Sequence, residues 1–170
     1  VLKATMSLSR TRFPRGILSP MIDAIARAPL WQHGLDYGHG TGHGVGAFLN
    51  VHEGPQRIGP RGSDEPLQPG MVVSNEPGYY EEGWGGIRLE NLYVVVPDDD
   101  MPPHPSGKRW LQLETLTLIP FDPRLIDMSQ LADAERAWRA RYHQQVEETI
   151  APLLNEADRA WLQEACTLPR

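Results

Sequence analysis

Two histidines stand four residues apart in HGTGHG (39–44), and every neighbour but one is glycine. On a helix that spacing would put both imidazoles on one face. The glycines at 38, 40, 42, 44 and 46 argue against a helix, because each costs roughly 0.8–1 kcal/mol relative to alanine in a helix interior. Read instead as extended chain, residues 38–47 place His39, Thr41, His43, Val45 and Ala47 on one face and only glycine on the other. A bare face lets another element approach the backbone closely. That suits a site where backbone and ligand crowd a small ion or substrate. A flexible glycine-rich loop carrying incidental histidines is the competing reading.

Three further stretches bear on the choice. NVHEGP (50–55) supplies a third histidine, His52, at the end of the next apolar run. SNEPGYY (74–80) puts Glu76 after an apolar strand, with Pro77 holding it extended. GIRLENLYVVV (86–96) places Arg88 and Glu90 on one face with Leu92, Val94 and Val96. Each alone has an ordinary explanation: a hydrogen-bonded structural histidine, a solvent-facing turn glutamate, a buried salt bridge. Together, histidines and two separated carboxylates on strands form a mixed N/O ligand set. Such a set favours Mn, Co, Zn or Fe over Ca.

The elements that must position these groups are legible in outline. Residues 2–13 read as an extended segment or edge strand. Ser19-Pro20 starts a helix with Ile22, Ile25 and Ala26 on one face, which Pro29 kinks or stops near Ala28 and Gly34 closes. From Leu35 to Pro97 the period is two, with strands expected in AFLNVH (47–52), GMVVSNE (70–76) and GIRLENLYVVV (86–96). Turns are expected at Gly54-Pro55, Gly59-Pro60 and Pro69-Gly70, and a Pro- and Asp-rich loop over 98–107. One more strand follows in WLQLETLTLIP (110–120). The tail is helical. Leu131, Trp138, Tyr142 and Val146 share a stripe, with Glu147 and Glu148 on the wet side. Pro152 breaks this helix, and Asn155 caps a last one running through Cys166, ahead of Pro169. Strands followed by helices predict an α+β fold.

Composition narrows the function. The chain has 170 residues, 40% apolar and 22% charged, with a net charge of −6. No basic stripe suits it to nucleic acid. No apolar run approaches the roughly 18 residues of a membrane span. Cys166 is the only cysteine, which fits a reducing, cytoplasmic compartment. The N-terminal residues lack a signal-peptide pattern, and a chain starting at Val1 reads as a fragment or a processed product.

The blocks DYGHGTGHGVGAFLNVHEGP, EPLQPGMVVSNEPGYY and GGIRLEN resemble, in order and residue type, the C-terminal part of a Xaa-Pro aminopeptidase. That family belongs to the pita-bread metallopeptidases of family M24. The resemblance runs through nearly the whole chain and includes LETLTLIPFDPRLID and the helical tail. It implies the C-terminal half of a pita-bread catalytic domain over 1–97. It implies a C-terminal extension of a strand plus helices over 98–170, packed on that domain. By motif, His43, Glu76 and Glu90 correspond to metal ligands and Arg88 to a residue that orients them. His39, His52 and Tyr80 correspond to substrate-binding residues, with Glu76 and His52 as the catalytic pair. The family's centre holds two divalent ions, Mn2+ first and Zn2+ or Co2+ as alternatives. Two of its ligands are aspartates from an upstream block with no counterpart here. Asp23 and Asp36 precede His43 but lack that motif context. The implied reaction is release of the N-terminal residue from peptides with proline second, by a homodimeric cytoplasmic enzyme without nucleic-acid or membrane partners. The chain by itself is expected to bind metal weakly and to have little or no activity. A prolidase, or a non-catalytic pita-bread binding module, are the alternatives.

Overall fold

Residues 2–9 form a helix rather than the expected extended segment. In the computed structural model, which describes residues 1–61, 65–102 and 104–167, α1 spans Leu2–Ser9 and buries Ala4, Thr5, Met6 and Leu8. Leu, Lys, Ala and Met favour a helix here, and the mixed pattern of so short a segment suits either period. Only Phe13–Pro14 is extended, as β1. The helix α2 spans Ser19–Trp31 and runs through Pro29 instead of ending near Ala28. Pro29 lies in the last turn, so its missing N–H bond and ring clash fall where only two more helical residues follow. Ser19 is its first helical residue, not its cap, and Leu18 occupies the cap position. Pro169, expected beyond the last helix, lies outside the described residues.

The chain divides into two compact units, Val1–Leu116 and Thr117–Arg170. In the first, a four-stranded antiparallel sheet has the order β1-β8-β7-β4, where β4 is Val72–Asn75, β7 is Asn91–Pro97 and β8 is Trp110–Thr115. Strand β8, grouped by sequence with the extension, is therefore hydrogen-bonded into the first unit's sheet, with Val95 opposite Leu113. Alternate residues of β7 are buried, and Tyr93 and Val95 join Val73, Leu111 and Leu113 in one core with Leu8 of α1 and Ile22 and Ala26 of α2. Residues 47–52 are not a strand: Ala47–Leu49 form a 3-10 turn in which Phe48 has φ 53°. A left-handed residue ends any pleated run.

The run 86–96 is two strands. Gly85–Arg88 (β6) pairs with Gly78–Glu81 (β5) in a separate ribbon, while β7 pairs with β4 and β8. The change of partner falls at Leu89-Glu90, so Arg88 and Glu90 do not share a continuous strand face with Leu92. Of the histidine stretch 38–47, only Gly42–His43 is a strand, β2, paired with Arg57–Ile58, β3.

The second unit considered by itself is helical. The helices are α3 (Asp133–Ile150) and α4 (Glu156–Cys166). Asn155 caps α4 as expected, its Oδ1 accepting from the Asp158 N–H at 3.0 Å. Leu131, Tyr142 and Val146 are buried, and Trp138 stacks on Tyr142 with centroids 5.3 Å apart. Arg139 and His143 are buried on α3 as well, and polar residues at helical spacing gave no warning of this.

Candidate metal centre

Three candidate ligands, one histidine and two glutamates, converge at the ends of three strands. His43 ends β2, Glu76 follows β4, and Glu90 occupies the link between β6 and β7. One ligand atom from each lies within 4.8 Å of the other two. The backbone brings β2 and β4 together, because Gly42 and Gly44 carry no side chain. A Cβ on Gly42 would overlap the Ser74 carbonyl oxygen, and one on Gly44 the Glu53 carbonyl oxygen. The bare glycine face inferred from sequence is thus a close-approach surface, although most of the stretch is not regular strand. Val45 N–H donates to Val72 O at 3.1 Å, and Glu76 N–H to Thr41 O at 2.7 Å, sealing the junction.

The polar atoms at this junction are unequal in number. His43 Nδ1 lies 3.0 Å from Gly44 O; a carbonyl only accepts, so Nδ1 carries the proton when the ring is neutral. Its Nε2 then presents a lone pair to Glu76 Oε1 at 3.3 Å. Glu90 adds a second carboxylate. Acceptor therefore faces acceptor, and a proton on Nε2 or a cation among the three groups is needed to make this favourable. One nitrogen and two carboxylates are a ligand set for divalent transition metals, so the residues present fit such an ion. Ser74 and Arg88 steady Glu76. The Ser74 hydroxyl donates to Oε1 at 3.0 Å and accepts from His43 N–H at 2.9 Å. Arg88 Nη1 lies 3.3 Å from Oε2. Ser74 escaped notice in the sequence, although it sits two residues before Glu76 on a strand.

His39 joins a second arm. Its Nδ1 donates to Gly40 O at 2.7 Å, which leaves Nε2 to accept from the Tyr80 hydroxyl at 2.8 Å. That hydroxyl accepts in turn from Arg88 Nε at 2.7 Å. The Tyr80 hydrogen bond, ahead of a small opposing burial, raises the Arg88 guanidinium above its ordinary range. Arg88 thereby links the His39–Tyr80 arm to Glu76. His52 is exposed, and its ring centroid lies 4.2 Å from that of His43. Both rings line a cleft of about 440 Å3 with Gly44, Glu53 and Gln56. His39, His43, His52, Glu76, Tyr80 and Arg88 are thus linked through direct contacts at this one junction, and a carboxylate oxygen of Glu90 lies within 4.8 Å of ligand atoms of His43 and Glu76. Asp23 and Asp36 are not among these ligands. Both bind Arg27, at 2.6 Å and 2.8 Å, and the only metal-type cluster among the described residues is His43, Glu76 and Glu90.

Residues 1–97 match the model of metallopeptidase family M24, and 109–168 match that of the C-terminal region of peptidase M24. A probable Xaa-Pro aminopeptidase P from Coprinopsis cinerea is 47% identical over 98% of this chain, which spans 27% of that protein. The crystal structure of X-prolyl aminopeptidase from Caenorhabditis elegans, described as a cytosolic enzyme with a di-nuclear active site, superimposes with a TM-score of 0.88. That match has 38% identity and covers 99% of this chain and 28% of the other. A Xaa-Pro dipeptidase from Bacillus anthracis matches less fully, with a TM-score of 0.55 and 32% identity over 72% of this chain and 30% of that one. The chain spans about a quarter of the length of the aminopeptidases it matches. The fold is the C-terminal half of the pita-bread architecture.

Proposed function

The chain belongs to metallopeptidase family M24, and from that membership we propose that it carries half of the active site of a Xaa-Pro aminopeptidase. The reaction is release of the N-terminal residue from a peptide with proline second. The observation that carries this reading is the acceptor-only cluster of His43 Nε2, Glu76 and Glu90. Those three residues would hold divalent metal, most favourably Mn2+, together with aspartates that this chain does not contain. Two such ions, when bound, polarise the scissile carbonyl and lower the pKa of the attacking water.

The chain's own residues do the rest. Glu76 accepts the water's proton at a carboxylate oxygen while Ser74 and Arg88 keep that carboxylate oriented. His52, open to the cleft, donates to the oxyanion that develops on the peptide carbonyl. His39 and Tyr80 line the pocket for the proline ring. The fuller superposition on the nematode X-prolyl aminopeptidase than on the bacterial dipeptidase favours an aminopeptidase over a prolidase. By the same resemblance the whole protein is a cytoplasmic homodimer.

The test has two stages. Calorimetric titration of the chain with Mn2+ should show weak binding, abolished in His43→Ala and reduced at least about tenfold in Glu90→Gln. The protein that joins this chain to the aspartate-bearing segment should bind metal stoichiometrically and cleave longer Xaa-Pro peptides in preference to dipeptides. Stoichiometric absence of metal there would instead indicate a binding module. Robust hydrolysis by the present chain alone would overturn the half-site reading.

A further inference from the structure

The glycine-rich segment that carries His39 and His43 has few side chains with which to hold itself. Beside its backbone bonds to β3 and β4, residues 37–41 are held from outside by Arg27 on α2. Arg27 is 3% exposed, and all three nitrogens of its guanidinium are engaged. Nε donates to Asp23 Oδ2 at 2.6 Å, and Nη1 to Asp36 Oδ1 at 2.8 Å and to the Tyr37 carbonyl at 2.7 Å. Nη2 donates to the His39 carbonyl at 2.6 Å. The guanidinium also lies over the Tyr37 ring, 4.0 Å from its centroid. Asp23 completes the device. Its Oδ1 accepts from the Thr41 hydroxyl at 2.6 Å, and that hydroxyl also bonds the Tyr37 hydroxyl. Residues 37, 39 and 41 are thus gripped in turn, the first two by their carbonyls and the third by its side chain.

The consequences reach both arms of the site. With its carbonyl held toward Arg27, His39 donates from Nδ1 to Gly40 O and offers Nε2 to Tyr80. The Thr41 carbonyl receives the Glu76 N–H. We propose that Arg27, seated on Asp23, is a positioning residue. It sets the tautomer and aim of His39 and, through Thr41, the placement of Glu76, while touching neither substrate nor metal. Burial opposes the charge, but the carboxylate hydrogen bonds outweigh it, so Arg27 stays cationic. A lysine would keep the charge and lose the planar fork. The proposal rests on the function above only for its catalytic meaning.

The test uses the 170-residue chain, labelled with 15N-histidine and observed at about pH 8.5, well above the ordinary imidazole range of about 6.5. In the parent chain His39 should be the Nδ1–H tautomer. His143, whose Nδ1 faces Cys166 O while its Nε2 accepts from Phe121 N–H, serves as the internal control in the other unit. In Arg27→Lys, His39 should lose about half or more of its Nδ1–H population while His143 is unchanged. Glu76 amide exchange should quicken about tenfold. Thr41→Val, which keeps Arg27 and its bond to the His39 carbonyl, should quicken Glu76 exchange and leave the His39 tautomer unchanged, and an unchanged Glu76 in it decides against the proposal if Arg27→Lys does not fold. Unchanged His39 and Glu76 signals in whichever variant folds would overturn the proposal. Failure of the parent chain to bind Mn2+ would strike the proposed function and leave this result standing.

Discussion

Each compact unit buries one arginine in a helix, and the two are used in opposite ways. Arg27 in the first unit meets two carboxylates and two carbonyls. Arg139 in the second is fully buried, yet among the described residues its Nε and Nη2 meet no acceptor, and its Nη1 reaches only Met128 Sδ at 3.9 Å. Burial pushes the Arg139 guanidinium down from its ordinary range, whereas that of Arg27 is raised. A buried charge organises its surroundings only where acceptors converge on it. In the first unit two of those acceptors are backbone carbonyls of the segment leading into the glycine-rich stretch. In the second, Phe121 packs on Tyr142 and Tyr142 on Trp138, both of α3, without involving the charge.

The sharpest way to break this contrast is to remove each arginine. Arg27→Ala leaves Asp23 buried and unpaired and should cost about 3–5 kcal/mol, whereas Arg139→Met should be neutral or stabilising by about 1–4 kcal/mol. Urea unfolding of both variants checks this, and equal losses would end the comparison. A smaller effect is expected from the glycines. Gly42→Ala and Gly44→Ala collide with backbone carbonyl oxygens and should cost about 1–3 kcal/mol. Gly38→Ala, with nothing within 4 Å of its added Cβ, should stay within about 0.5 kcal/mol.

The pH dependence should separate the units more gently, at opposite ends of the scale. Burial pushes the Tyr37 hydroxyl up to about 12, against the opposing pull of Thr41 and Arg27. The folded state therefore holds this proton more tightly. The stability it contributes is complete below the unfolded value of about 10 and is lost as pH rises through about 12. Burial lowers His143, so here the unfolded state binds the proton more readily. That contribution is present above about 6.5 and is lost as pH falls from there through the lowered folded value. Amide exchange resolved by unit, across pH, should show the first unit loosening in alkali and α3–α4 in acid. His143→Gln should flatten the acid arm. The least effect belongs to Tyr80→Phe. Tyr80 is exposed, so stability should change by no more than about 0.5 kcal/mol, while the loss of its hydroxyl uncouples Arg88 from His39. The histidine spectrum reads that loss as a shift confined to His39.

Much of the site could be read from residue types alone. His43, Glu76 and Glu90 were identified by their motifs, and the alternating glycines by what they leave out. The motif reading picked out residues that do cluster, because a candidate ligand must be of a ligating type and a close approach must be glycine. It failed where a partner decides conformation. Residues 2–9 carry a pattern too short to separate helix from strand, and the core they pack against chose the helix. The run 86–96 looks continuous, but β5 claims one half and β4 with β8 the other, which sets Glu90 at the break.

The sequence by itself therefore determined the family, the ligand types and the need for a bare backbone face. The family came through the resemblance of the motif blocks, whereas the candidate ligand types and the bare face follow from side-chain chemistry and spacing along the chain. Only the tertiary structure decided that Asp23 and Asp36 serve Arg27 rather than a metal, that Ser74 binds both His43 and Glu76, and that Arg139 is buried without a carboxylate partner among the described residues. Such pairings are set by which distant segments the fold brings within about 3 Å, the reach of a hydrogen bond.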